Sequence, residues 1–258
     1  MTAFTVRLVP CLTDNYAVLI HLPDSGATIL VDAPEDGPIR AALGTEGWRL
    51  SHVLLTHHHG DHVQAVPLLR AETGAAVIGP AAEADKLPAL DRAVADGDRF
   101  AIGGLDIAVI ATPGHTLGEV SYFLPAAKLA FTGDTLFSLG CGRVFEGTPE
   151  MMWASLETLK RVLPDDTSVY CGHEYTASNA RFALSVDGDN AALAARAREV
   201  EALRAAGRPT LPVTMAAEKA ANPFLRADEP ALARAMGLEG QPAAAVFAAV
   251  RRAKDTFK

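Results

Sequence analysis

The 258-residue sequence predicts an α/β fold whose strand-rich first part gives way to a helical carboxyl region. Two observations carry that expectation. Short apolar runs at residues 6–9, 17–22 and 28–31 open the chain, and strand and helix signals then alternate to about Gly172. From about Tyr175 no strand-like run follows, and residues 191–206 form a long Ala, Arg and Glu stretch with Leu193, Val200 and Leu203 as its apolar points. With 49% hydrophobic residues, a chain of this length can bury one large core or two smaller ones.

The elements follow in order. After the three opening strands, the apolar run His52-Val53-Leu54-Leu55 reads as a further strand that empties into Thr56-His57-His58-His59-Gly60-Asp61-His62. A helix is expected from His62, with Asp61 as its cap, because Gly60 lets the backbone bend ahead of it. Residues 105–110 are strand-like and are closed by Pro113 and Gly114; Lys128-Leu129-Ala130 and Val169-Tyr170-Cys171 lead into two more glycine-bearing exits. Beyond the long helix, residues 207–213 contain Pro209 and Pro212 and read as a loop, and the last helix is expected over about 242–255, opened by Pro242.

The heptapeptide places four good metal ligands in six residues at a strand exit. Alternation along an extended chain brings His57 and His59 to one side and turns His58 away; Asp61 and His62 arrive from the next turn. Histidine and carboxylate donors suit Zn²⁺, Fe or Mn, and four such ligands joined by others exceed the needs of one tetrahedral ion, which leaves room for two. The others are visible downstream. His115 follows Pro113-Gly114, Asp134 follows Gly133, and His173 follows Gly172, each just past an apolar strand. One such residue would be an ordinary turn residue bonded to local backbone. Four segments repeating the placement point to a shared site.

Composition narrows the function classes. A formal net charge of −8 gives no global basic face for nucleic acid. No run of about 18 apolar residues is present, and Arg7 and Pro10 interrupt any signal-like start, so neither membrane insertion nor export is expected. Three widely spaced cysteines, Cys11, Cys141 and Cys171, argue against a disulfide framework and favour the cytoplasm. The His and carboxylate set is sufficient without them, so Cys141 and Cys171 read as packing residues.

The motif Thr-His-x-His-x-Asp-His at Thr56 to His62, with His115, Asp134 and His173 in the remaining ligand positions, resembles the metallo-β-lactamase fold hydrolases. Likeness to the hydroxyacylglutathione hydrolase (glyoxalase II) branch extends to both ends of the chain. It is carried by Leu12-Thr13-Asp14-Asn15-Tyr16, Gly140-Cys141-Gly142-Arg143, Cys171-Gly172-His173-Glu174-Tyr175-Thr176, Asn222-Pro223-Phe224-Leu225-Arg226 and Val250-Arg251-Arg252-Ala253-Lys254-Asp255. The resemblance implies an αββα sandwich of two mixed sheets over residues 1–174 and a small helical domain over 175–258. It implies that His57, His59 and His115 hold one divalent ion, that Asp61, His62 and His173 hold a second, and that Asp134 bridges them, with Zn²⁺ the first expectation and Fe or Mn acceptable to the same donors. A metal-activated water would then attack a glutathione thioester, with Asp61 also orienting it and no serine or cysteine nucleophile needed. Arg251 and Lys254, three apart on one helix face, would bind the glycyl carboxylate of glutathione, with Arg143 nearby and Tyr175 on its peptide backbone. From charge alone, those two cations read as an ordinary solvated helix end. A monomer is expected.

The sequence departs from the branch at Arg143 and Phe145, where many members have Lys and Tyr. Phe145 has no hydroxyl to offer the substrate, and Arg143 keeps the charge in a forked geometry suited to a carboxylate. Three alternatives stay open: a mononuclear-iron persulfide dioxygenase, which typically lacks the helical carboxyl domain; a broad lactonase or β-lactamase; and an inactive binding scaffold with a structural metal.

Overall fold

In the computed structural model, which describes residues 3–257, the chain forms two compact units: the chain up to Ala111 with Gly118–Gly133, and Thr112–Leu117 with Asp134 onward.

The first unit carries a six-stranded sheet in sequential spatial order: β1 (Thr5–Cys11), β2 (Asn15–Leu22), β3 (Ala27–Val31), β4 (His52–Leu54), β5 (Ala76–Pro80) and β6 (Arg92–Val94). It is mixed. The β1–β2 and β2–β3 pairs are antiparallel, whereas β3 to β6 run parallel. Parallel neighbours need crossovers: α1 (Asp36–Glu46) crosses from β3 to β4, α2 (Gly60–Val63) and α3 (Val66–Thr73) cross from β4 to β5, and a stretch with one 3-10 turn, Ala81–Glu83, leads to β6. α1 and α3 each end on a left-handed glycine, Gly47 and Gly74, which no side chain hinders. Their apolar faces, Ile39, Leu43, Val66 and Leu69, close over Leu19, Leu30 and Val53 of the sheet.

Seven of the eight residues of β2 are buried, so consecutive apolar residues replace the alternation of a half-exposed strand. The same holds for β9 (Val120–Leu124), which sits with β7 (Arg99–Ile102), β8 (Leu105–Ala111) and β10 (Leu129–Phe131) in an antiparallel array, order β10-β9-β8-β7. Tyr122 of β9 donates its hydroxyl to Leu55 O at 2.8 Å, which ties this array to the loop that leaves β4.

The second unit is mostly helical. It contains the hairpin β11 (Leu136–Phe137) and β12 (Gly140–Cys141), the helix α4 (Pro149–Val162), and β13 (Ser168–Tyr170) paired antiparallel with β14 (Val213–Thr214). The remaining helices are α5 (Thr176–Val186), α6 (Ala191–Ala205), α7 (Met215–Ala221), α8 (Pro230–Ala235) and α9 (Ala243–Thr256). Local chemistry sets their starts: Thr148 accepts from Met151 N with Pro149 in the first turn, and Asn190 caps α6 through Ala192 N and Leu193 N. The ring chain Trp153–Phe247–Phe224–Phe182, with centroids 5.9–6.0 Å apart, fastens α9 against α4 and α5.

Two expectations change. The proline-bearing stretch before α7 is not purely loop: Val213 and Thr214 pair with β13, so a strand does follow Tyr175. Two residues are too few to show a period in the sequence. The last helix begins at Ala243, with Pro242 in the cap position, and runs to Thr256.

Candidate active site

β4 ends at Leu54; His57, His58 and His59 lie in the loop beyond it and His62 in the short helix α2 that follows. Asp32, held at a left-handed φ of 53° immediately after β3, organises that loop. Its carboxylate accepts from Thr56 N and Thr56 Oγ1, both at 2.9 Å, and pairs with His62 Nδ1 at 2.8 Å. His57 Nδ1 lies 3.0 Å from Thr56 Oγ1 and 3.8 Å from Glu119 Oε1. With Nδ1 engaged on these buried acceptors, both rings turn Nε2 the other way: His57 Nε2 comes within 3.1 Å of His59 Nδ1, and the His57 and His62 ring centroids are 4.2 Å apart. Imidazoles oriented by acceptors behind them are the usual arrangement of metal-ligating histidines. His58 turns aside to Glu83, 2.9 Å from its Oε2.

Asp61 does not cap a helix. α2 starts at Gly60 with His59 in the cap position and no side-chain cap, and the Asp61 carboxylate is drawn instead to Asn15 Nδ2 at 3.0 Å, 3.9 Å from His62 Nε2. Asn15 donates to Asp61 O as well, so the amide fixes both ends of this residue.

In the second unit, Asp134 Oδ2 stands 3.4 Å from Nε2 of His115 and 3.4 Å from Nε2 of His173. His115 Nδ1 is paired with Arg143 O at 2.8 Å, again leaving Nε2 to face inward. Gly142 makes this packing possible: a Cβ there would sit 1.8 Å from Asp134 O and 3.2 Å from His115 Nδ1. His57, His59, Asp61 and His62 stand together in the first unit and His115, Asp134 and His173 in the second, and imidazole with carboxylate oxygen is a donor set for a divalent metal.

His115 and Asp134 open onto a cavity of about 430 Å³ that is also lined by Arg143, Tyr175, Arg251 and Lys254. The predicted substrate-binding residues are therefore together. Arg251 is buried, donates from Nη1 to Cys141 O at 2.9 Å and is paired with Asp255. Lys254 Nζ lies 3.3 Å from Ser178 Oγ and over the rings of Phe182 and Phe257. Burial, followed by the nearby charges of Arg251, Arg181 and Arg143, pulls its ammonium below the ordinary lysine range. Arg143 is exposed, its Nε 3.9 Å from Asp255. Tyr175 stacks on His173, centroids 4.7 Å apart and planes within 4°. Phe145 is 62% exposed and its ring is 5.2 Å from that of His115, so its missing hydroxyl is missing beside this cavity.

Cys141 and Cys171 are buried free thiols, pushed up to about 11 and about 12 chiefly by desolvation, in keeping with packing residues rather than thiolate ligands. The residues that sequence reasoning passed over are those that orient the ligands. Asp32 carried a usable signal, since it too follows an apolar strand; Glu119 and Asp255 carried none, because their partners are remote in sequence or one helical turn away.

Comparison with known proteins agrees with both halves of the chain. The family described as metallo-beta-lactamase superfamily matches residues 12–173, and that described as hydroxyacylglutathione hydrolase C-terminus matches 174–257. A hydroxyacylglutathione hydrolase of Ruegeria pomeroyi is 55% identical over 249 residues, 96% of this chain and 97% of that one; its counterpart in Rhizobium meliloti is 53% identical over 257 residues, spanning both completely. Among solved structures, ETHE1 from Myxococcus xanthus superposes with a TM-score of 0.66 at 30% identity, covering 86% of this chain and 84% of its own. The BLEG-1 B3 metallo-beta-lactamase gives the same TM-score at 22% identity over 86% and 99%. The α/β metallo-β-lactamase fold is thereby shown, and no helix among the described residues is long and apolar enough to cross a membrane.

Proposed function

The chain belongs to the hydroxyacylglutathione hydrolases of the metallo-β-lactamase superfamily, and from that premise we propose that it hydrolyses S-(2-hydroxyacyl)glutathione thioesters, S-D-lactoylglutathione first, to glutathione and the free acid. In a cell this is the second step of methylglyoxal detoxification. The observation that carries the reading is that one cavity is lined both by His115 and Asp134 and by the cations Arg143, Arg251 and Lys254. Thioester chemistry and recognition of an anionic peptide are thereby served from the same walls.

His57, His59 and His115 would hold one divalent ion, Asp61, His62 and His173 a second, and Asp134 would serve both, with Zn²⁺ the natural occupant of a histidine-rich set. Divalent ions supply an acidified water and a Lewis acid for the acyl carbonyl. The chain's own groups do the rest. Asp61, steadied by Asn15, orients the attacking water, and Asp32 and Thr56 keep the His62 and His57 rings in one tautomer and rotamer. Arg251 and Lys254 take the glycyl carboxylate, Arg143 adds charge at the open edge, and Tyr175 borders the peptide backbone of glutathione. A thiol leaving group near pKa 8.5 to 9 needs little assistance from a protein acid.

Residues 1–174 are the catalytic part and 175–258 the part that contributes glutathione-binding groups; the enzyme acts as a cytoplasmic monomer. The test is loss of the thioester absorbance of S-D-lactoylglutathione with purified protein, run beside oxygen uptake with glutathione persulfide. Thioester turnover without oxygen uptake supports the assignment, and the reverse would replace it with persulfide oxidation.

A further inference from the structure

The hairpin β11–β12 is short, yet it supplies much of the cavity wall. Phe137 and Cys141 line the cavity, Cys141 O receives the Arg251 guanidinium, and Arg143, two residues on, holds His115 through its carbonyl. Two residues in each strand cannot make such a hairpin rigid by themselves. Its turn also contains Leu139 at a φ of 56°, a left-handed conformation that costs a branched apolar residue free energy and persists only where surroundings enforce it.

What enforces it comes from α7 and the chain just after it. Glu218, fully buried, accepts from Leu139 N at 2.9 Å and from Ser138 Oγ at 2.9 Å. Asn222, one helical turn later and equally buried, donates from its amide nitrogen to Phe137 O, Gly140 O and Glu218 Oε2 at 3.1, 2.9 and 2.9 Å. Asn179 donates from Nδ2 to Ser138 O of the same turn at 3.1 Å. Arg196, itself fixed on Thr210 O, stands 3.5 Å from Ser138 Oγ and offsets the buried negative charge. A fully buried carboxylate that accepts from two consecutive residues of one turn is an expensive device unless that turn must be held in one place.

We propose that Glu218, acting with Asn222, is a positioning residue for the glutathione pocket, clamping the Phe137–Gly140 turn so that Cys141 O, at its far strand, holds the Arg251 guanidinium in register for the peptide part of the substrate. This rests on the reading of the cavity as the glutathione site. Glu218 touches neither substrate nor a predicted metal ligand, so its loss acts on peptide recognition far more than on acyl chemistry. Glutamine preserves it: the amide oxygen can accept from Leu139 N and Asn222 while the NH₂ donates to Ser138 Oγ.

The experiment compares wild type, Glu218→Ala and Glu218→Gln on S-D-lactoylglutathione and on a D-lactoyl thioester of a short thiol lacking the peptide, with metal content and melting temperature recorded for each. Glu218→Ala is expected to raise KM for the glutathione thioester about tenfold or more, to leave kcat/KM for the short thioester within about threefold, and to weaken binding of S-methylglutathione in parallel; Glu218→Gln restores most of the loss. Equal losses on both substrates, or unchanged binding of S-methylglutathione by folded, metal-replete Glu218→Ala, would overturn the proposal. Should Glu218→Ala fail to fold, Ser138→Ala removes one clamp bond, and the same skew toward the short thioester is expected, its absence counting against the clamp. Wild type that turns over neither thioester would instead sink the underlying assignment, and the clamp's role with it.

Discussion

Arg251 gives two of its donors to Asp255, with Nε and Nη2 lying 3.1 and 2.9 Å from the same oxygen, Oδ1. The guanidinium proposed to receive the glycyl carboxylate of glutathione is thus already paired with an internal carboxylate of the same charge and geometry. Asp255 stands between Arg251 and Arg143 and lowers the positive potential of both. Asp255→Asn should lower KM for the glutathione thioester about two- to fivefold, a modest gain because the Asp255 side chain is 43% exposed and screened, with the gain shrinking as salt is added. A rise in KM measured at low ionic strength would mean that Asp255 orients Arg251 rather than competing for its ligand.

Lys254 binds an anion only while protonated, and its burial beside three arginines holds its pKa below the ordinary lysine value of 10.5. Raising pH through that depressed value removes the charge, so affinity for S-methylglutathione should fall at a pH lower than a solvent-exposed lysine would give. Lys254→Arg keeps its charge across the range and should move the fall to higher pH. Titration calorimetry from pH 7 to 10.5 checks this, and coincident profiles for the two proteins would remove Lys254 from the binding set.

Asp32 is the acceptor that fixes the His62 ring, and its substitution should be felt as metal loss. Asp32→Asn keeps the volume and tolerates the left-handed φ of 53°, but neutralises the carboxylate on His62 Nδ1 and weakens the hold on Thr56. Metal affinity, followed by competition with a chromophoric chelator, should drop about 10- to 100-fold. An unchanged affinity would place His62 outside the ligand set.

The three buried thiols tie stability to alkaline pH. Cys11 and Cys141 are raised from 9.0 to about 11 and Cys171 to about 12, in each case first by desolvation, so the folded protein keeps protons that the unfolded chain releases. A folded-state pKa above the unfolded one gives stability that is complete below pH 9 and is lost progressively up to about pH 11 to 12. Urea midpoints should fall over that window, less steeply in Cys171→Ala, and native protein at pH 7.5 should resist iodoacetamide.

Much of this architecture was legible because β2, β3 and β9 are buried along almost their whole length and spell out near-continuous apolar runs, and because the heptapeptide, His115, Asp134 and His173 each lie just past a strand and beside a glycine. His57 with His59, and His115 with Asp134 and His173, are brought together as that spacing implied. The misread parts share a physical cause. Asp61 looks like a helix cap from its neighbours alone, yet Asn15, forty-six residues away, claims its carboxylate. Val213–Thr214 forms a strand only because β13 offers it an edge. Asp255 and Glu218 are each the single acidic residue of a helix rich in alanine, and nothing local distinguishes a carboxylate that will close on Arg251 or on the Leu139 turn from one left in solvent.

The proposed two-metal thioesterase is tested most directly by turnover of S-D-lactoylglutathione by the purified protein, with metal counted per chain, in wild type and Asp134→Ala. Thioester hydrolysis is expected of wild type carrying about two divalent ions, and its abolition in Asp134→Ala, which removes the carboxylate common to both proposed ions. Wild type fully loaded with metal yet inert toward the thioester would contradict it.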